Sequence, residues 1–294
     1  MARAVLLINK SRSYLLNEHT TVTLNDGTRM PQLGLGVWQA KDGDETRMAV
    51  KSAINAGYRM IDTAMVYQNE RSVAQGIRDS GVNREELFIT TKLWNSDQGS
   101  AAVRPAFEAS LERLGLDYID LYLIHWPTPE RELYVETWKE FEKLKADGLV
   151  RSIGVSNFRT EDLERLKAET STVPSVNQIE LHPNFQQQAL RDYATTNGIQ
   201  IESWSPIGGS KGNLLNDETL QQIGAAHQKS PAQIVIRWHL QHGLVVIPKS
   251  VRAERQQENI NVFDFELSPD EMKQIDSLET GVRTGPDPAT MNNH

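Results

Sequence analysis

Read for its apolar and polar positions, the chain from residue 33 onward alternates between two patterns. Short apolar runs appear as LGLGVW, RMIDTA, LFITTKLW, YIDLYLIHW, VRSIGVSN, SVNQIEL, IQIESWSP and GLVVIPKS, eight in all. Between them lie longer stretches such as GDETRMAVKSAINAG and AAVRPAFEASLERLG, with apolar residues at three-and-four spacing and a glycine stop. The runs are strand-like and the spacers are amphipathic helices. Regular alternation implies parallel strands joined by helical crossovers, and eight near-equal units favour closure into a (β/α)8 TIM barrel. Ahead of them, TVTLNDGTRM places two β-prone segments around Asn25-Asp26-Gly27, a hairpin signal.

A doubly wound sheet is the competing fold. Its dinucleotide form requires G-x-G-x-x-G between the first strand and a helix, and Gly34-Leu35-Gly36-Val37-Trp38-Gln39 lacks the third glycine. No Pro/Ser-rich linker interrupts the pattern, so residues 21–294 are expected to form one domain with a short C-terminal tail. Residues 1–20 are expected to lie outside it, as a native extension or an expression remnant. Their five consecutive apolar residues, Ala4 to Ile8, are too few for a signal-peptide core or a membrane span. The expectation is a soluble, cytoplasmic protein.

Composition narrows the function classes. The chain has 294 residues, 38% hydrophobic and 24% charged, enough to build a sizeable core. A formal charge of −8 without a basic block disfavours nucleic-acid binding. The absence of cysteine removes disulfides, thiolate metal sites and a cysteine nucleophile.

In a barrel the informative polar residues stand at the C-terminal ends of strands. The second run ends at Asp62 with Tyr67 just beyond, the third carries Lys92, and the fourth finishes at His125-Trp126. A phenol, with a pKa of about 10, is a poor acid at neutral pH, and a neighbouring ammonium lowers that value. Lys92 can supply the ammonium, Asp62 can keep it charged, and His125 can donate to a polarised carbonyl oxygen. The set suits carbonyl reduction. Singly, each residue has an ordinary reading: Asp62 as a turn residue, Lys92 as a solvated side chain, His125 as a satisfied core histidine. A metal site built from Asp62, His125, Glu180 and His182 lacks zinc-helix spacing, and no metal is expected.

With these residues in hand, the chain from Thr21 to about Pro288 resembles the aldo-keto reductase family. The likeness is carried by LGLGVW, DTA-x-x-Y from Asp62 to Tyr67, TKLW, LYLIHWP, IGVSNF, NQIELHP, ESWSP and IPKSV-x-x-ER-x-x-EN. The resemblance implies NADPH as cofactor and a catalytic tetrad at Asp62, Tyr67, Lys92 and His125, with Tyr67 as proton donor. It places Ser156, Asn157 and Gln178 on the nicotinamide carboxamide, Trp204 stacked on the nicotinamide ring, and Ser205, Pro206, Ile207 and Gly208 along the pyrophosphate. It sets Lys249 and Arg255 on the adenosine phosphate, surrounded by Ser250, Val251, Glu258 and Asn259, with Arg252 as a further cation nearby. Trp38 and Trp126 become walls of the substrate pocket, although barrel core is an equally ordinary place for them.

Within the family, ESWSPIGG, SVRAER and the short end RTGPDPAT are similar to the bacterial 2,5-diketo-D-gluconate reductases. A short tail implies an open mouth and small polar substrates, keto-sugar acids or methylglyoxal-like dicarbonyls. The expected protein is a monomeric NADPH-dependent carbonyl reductase acting on small molecules, with no nucleic-acid or membrane partner. An NADPH-sensing binding module and a metal-dependent barrel hydrolase are the readings from other classes.

Overall fold

The computed structural model describes residues 20–209 and 213–293, so the reading of residues 1–20 as an extension falls outside the described residues except for Thr20. Strands β1 (Thr21–Thr23) and β2 (Arg29–Pro31) pair antiparallel, with Thr21 opposite Pro31. Their turn needs a residue at positive φ, and Gly27 supplies it at +86°. Asp26 in this turn accepts hydrogen bonds from Lys145, Ser152 and Ser175, which pins the hairpin to the barrel. Burial alone would raise its carboxyl, but the bonds from Lys145, Thr28 and Ser152 hold it at about 2.

The eight apolar runs become β3 (Leu35–Gly36), β4 (Met60–Asp62), β5 (Phe88–Leu93), β6 (Ile119–Ile124), β7 (Val150–Ser156), β8 (Val176–Glu180), β9 (Gln200–Trp204) and β10 (Val245–Val246). All neighbours are parallel and follow chain order. Parallel bridges from Leu33 to Val246 and from Gly36 to Lys249 join the first strand to the last and close the barrel. A doubly wound sheet would reverse direction at a switch point, and this order never reverses.

Helices α1 (Asp44–Asn55), α2 (Glu70–Ser80), α3 (Val103–Leu114), α4 (Tyr134–Ala146), α5 (Thr160–Glu169) and α6 (Gln188–Thr196) each follow one strand. The crossover from β9 to β10 holds two helices, α7 (Glu218–His227) and α8 (Pro231–Gln241). After β10 come α9 (Ala253–Ile260) and α10 (Pro269–Asp276). Ser230 caps α8 with Pro231 at its first position and Gln233 completing a capping box, which explains a sharp start so soon after α7.

Two apolar layers result. The larger lies between strands and helices and includes Ile89, Tyr122, Trp138, Phe141 and Ile153. The smaller fills the barrel with Met60, Phe88, Leu121, Leu123, Val176, Val245 and Ile247, and the hairpin residues Leu24 and Met30 plug its lower end. Period-two alternation then decides what lies above this plug. On β5 the inward series runs Phe88, Thr90, Lys92; on β8 it runs Val176, Gln178, Glu180; on β4 Met60 is followed by Asp62. Each strand passes from apolar to polar as it approaches the mouth. Among the described residues no helix is long and apolar enough to cross a membrane.

Candidate active site

Asp62 is the last residue of β4, and a single 3-10 turn over Met65–Tyr67 brings Tyr67 back across the mouth. That turn is clamped from below. The Asn69 amide donates to the carbonyls of Val37 and Ala40 at 3.1 and 3.2 Å, and its oxygen accepts from Thr63 Oγ1 at 2.8 Å. Lys92 is wholly buried on β5, where its Nζ donates to Asp62 Oδ1 at 2.6 Å and to the Thr63 carbonyl at 2.9 Å. The same Nζ lies 5.2 Å from the centre of the Tyr67 ring.

Burial works to discharge Lys92, yet Asp62 and then Tyr67 outweigh it and keep the amine above its ordinary range. Burial raises the Tyr67 phenol; the Lys92 ammonium pulls it down without fully cancelling the burial. The lowered phenol expected from sequence is therefore only a partial offset of that burial. Burial and the Lys92 charge push His125 well below its ordinary value, so its imidazole is neutral at pH 7. His125 stands edge-on to Trp94 and Tyr67, at 5.2 and 5.8 Å between ring centres, and is stacked with Trp126 at 6.4 Å. All four residues of the expected tetrad therefore meet at one mouth.

A second ring of polar contacts supports them. Asn157, at φ +64°, donates through Nδ2 to the His125 carbonyl at 3.0 Å and to Ser156 Oγ at 3.1 Å, while Ser156 Oγ donates to the Gln178 carbonyl at 2.9 Å. Trp204 Nε1 donates to Asn157 Oδ1 at 2.8 Å, which fixes the orientation of that amide. Gln178 Nε2 donates to Asp62 Oδ2 and to Glu202 Oε2, both at 2.8 Å. Both side-chain amide hydrogens of Gln178 are thus engaged, which leaves its side-chain amide oxygen, unlike the backbone carbonyl held by Ser156, as the group that can accept from a ligand.

The residues expected to meet the adenosine phosphate lie beyond β10. Lys249, Arg252 and Arg255 are exposed, and none joins an ion pair among the described residues. Ser250 and Asn259 are buried, Val251 is half-buried against the core, and Glu258 is bonded to Ser230 at the start of α8. After β9, Ser205 and Gly208 both take positive φ and Gly208 N closes a turn on Ser205 O at 2.9 Å, with Pro206 buried and Ile207 half-buried between them. A half-exposed indole, a free amide acceptor and three unpaired cations fit a nicotinamide dinucleotide carrying an extra phosphate.

The C-terminal segment differs from the open mouth expected of a short tail. Buried Glu180 accepts from Thr284 N at 2.7 Å, Thr284 Oγ1 at 2.6 Å and Gly285 N at 3.0 Å, and pairs with His182 Nε2 at 3.1 Å. Burial would raise this carboxyl, but the bonds from His182 and Thr284 hold it at about 2. Gly285 rests directly on the indole, since a Cβ there would fall 2.4 Å from Trp204 Cη2. Further on, Asn292 accepts from Glu130 N at 3.2 Å and the Asn293 carbonyl accepts from Asn95 at 2.8 Å. The tail therefore edges the rim from the end of β8 to the loops after β5 and β6.

Trp126 is 6% exposed and Trp38 is 54% exposed, so Trp38 is not barrel core and stands in the loop after β3. Among the described residues no three His, Asp or Glu side chains are placed to hold a metal, and Glu180 and His182 are bonded to each other. Sequence reasoning passed over Asn69, Trp94, Glu180 as a tail anchor and Glu202. For Glu202 the signal was present: it lies two residues before Trp204 on the same face of a strand.

The model described as the aldo/keto reductase family matches residues 32–280. The 9,11-endoperoxide prostaglandin H2 reductase of Trypanosoma cruzi is 55% identical, covering 92% of this chain and 95% of the relative. The glyoxal reductase of Bacillus subtilis is 53% identical, covering 91% of this chain and 96% of the relative. The crystal structure of a mutant of Gox0644 in complex with NADPH superposes with a TM-score of 0.88 at 49% identity, covering 92% of this chain and 98% of that one.

Proposed function

Because the chain belongs to the aldo/keto reductase family and is an NADPH-dependent oxidoreductase, we propose that it reduces small dicarbonyls of the glyoxal and methylglyoxal type, and 2,5-diketo-D-gluconate among keto-sugar acids. It does so as a monomer, on one barrel domain spanning residues 21–294. The observation that carries this reading is the meeting of Tyr67, Lys92, Asp62 and His125 at one mouth.

NADPH, when bound, supplies the hydride that the carbonyl carbon receives. The chain's residues handle the oxygen. Tyr67 gives its phenolic proton to the carbonyl oxygen as negative charge develops there, and the product is an alcohol. The phenolate left behind is matched by the Lys92 ammonium, which Asp62 holds in place and keeps charged. Neutral His125 offers a ring N–H to the same oxygen and so orients the substrate. Gln178, Asn157 and Ser156 would hold the nicotinamide carboxamide, Trp204 would offer its flat face to the ring, and Ser205, Pro206, Ile207 and Gly208 would line the pyrophosphate. Lys249, Arg252 and Arg255 take the adenosine phosphate, with Ser250, Val251, Glu258 and Asn259 around the adenosine.

The two relatives bear names for unlike substrates at nearly equal identity, 55% and 53%, so identity does not choose between them. Aromatic rings do more. Trp94 and Trp126 crowd His125, and the tail edges the rim, which suits a compact carbonyl over a long one. Loss of nicotinamide absorbance should be followed with methylglyoxal, glyoxal, 2,5-diketo-D-gluconate and an aromatic aldehyde, with NADH in parallel. The expected outcome is turnover with NADPH over NADH and a higher kcat/KM for the dicarbonyls. A bulky aromatic aldehyde ranking first would overturn the substrate reading.

A further inference from the structure

Glu202 is a carboxyl that the chemistry above leaves unused. It points inward from β9, wholly buried, at the level of Gln178. Its Oε2 accepts from Gln178 Nε2 at 2.8 Å, and the same nitrogen donates to Asp62 Oδ2 at 2.8 Å. Its Oε1 is buried and meets no partner among the described residues. Two carboxyls thus flank one amide. The one ammonium in this cluster, on Lys92, bonds to Asp62.

The charged and titratable groups acting on Glu202 are Asp62 from β4, Lys92 from β5 and, more distantly, Tyr67 from the loop after β4. From β8 it meets only the neutral Gln178 amide, and its register partner on β10 is apolar Val245. A second ionised carboxylate here would be a buried charge without a contacting cation, so the favoured state is the neutral acid.

We propose that Glu202 is a positioning residue that acts through Gln178 on Asp62 and through its charge on Tyr67. This rests on the tetrad assignment above. As a neutral acid, Glu202 accepts the second amide hydrogen of Gln178, so that the first holds Asp62 and the carbonyl oxygen is turned to the ligand. As an anion it would add negative charge beside Asp62 and disfavour the phenolate formed when Tyr67 gives up its proton. Burial first and then Asp62 push the Glu202 carboxyl up to about 8, against the pull of Gln178 and Lys92. Proton donation by Tyr67 is therefore supported below that pH and weakened above it.

The test compares the wild-type protein with Glu202→Gln, which keeps the shape and removes the titration. Single-turnover reduction of methylglyoxal by protein preloaded with NADPH would be measured from about pH 6 to about pH 10, together with an infrared titration of the carboxylic-acid carbonyl band. In the wild type the rate should fall several-fold through pH 8, and the band should vanish over the same interval. In Glu202→Gln the rate at neutral pH should be nearly kept, and both the step and the band should be missing. Superimposable pH profiles in the two proteins would overturn the proposal, as would a wild-type spectrum with no carboxyl titrating in this range. The infrared titration needs neither turnover nor the variant, so it still decides if Glu202→Gln fails to fold. A wild type that reduces no dicarbonyl strikes the proposed function instead.

Discussion

Lys92 keeps a positive charge at zero exposure because one carboxylate oxygen sits 2.6 Å from its nitrogen. Neither member of this pair is tolerable alone. Lys92→Met should leave Asp62 as an unpaired buried charge and cost about 3–5 kcal/mol, read as a lower denaturant midpoint. Adding Asp62→Asn should restore much of that loss, because the orphaned charge goes with it. Strictly additive losses in the double variant would contradict the pairing. The residue identities of this cluster were legible in the sequence, since polar side chains at strand ends break an apolar pattern. Their titration was not. Whether a phenol ends above or below its ordinary value depends on how much burial opposes the ammonium, and burial is a tertiary property. Trp204 divides the same way: its flat face is a matter of residue type, whereas its N–H bond to Asn157 needs two strands in register.

At the level of elements, the tail and β8 behave as one unit. Glu180 stands at the end of that strand and collects three hydrogen bonds from Thr284 and Gly285, which sets Gly285 against Trp204. A side chain at this position has no room. Gly285→Val should lift the tail from the indole and weaken NADPH binding several-fold while leaving the melting temperature almost unchanged, as the barrel core is untouched. Unaltered NADPH affinity and tryptophan fluorescence in this variant would show that the tail does not bear on the cofactor site. The stretch RTGPDPAT contains nothing that announces this contact, because a loop of small residues acquires a path only when a buried carboxylate offers it acceptors. The hairpin was legible by contrast, since Asn25-Asp26-Gly27 carries its turn chemistry locally.

Across the whole molecule, the strand order followed from alternation alone: eight runs, seven parallel ladders between successive strands, no reversal. Eight near-equal units also favoured closure, but alternation could not give its form, two bridges from Leu33 to Val246 and from Gly36 to Lys249, or the pair of helices between β9 and β10, because both depend on how the ends of the sheet meet. The net charge of −8 likewise conceals a local cluster of cations after β10, Lys249, Arg252 and Arg255, to which the proposed function assigns the adenosine phosphate. In the proposed reaction the chemistry turns on one oxygen atom, the Tyr67 hydroxyl. The decisive measurement is NADPH-dependent methylglyoxal reduction by Tyr67→Phe, paired with NADPH binding followed by tryptophan quenching. The account predicts a loss of about a hundred- to ten-thousand-fold in kcat with cofactor affinity retained. Turnover close to that of the wild type would contradict it.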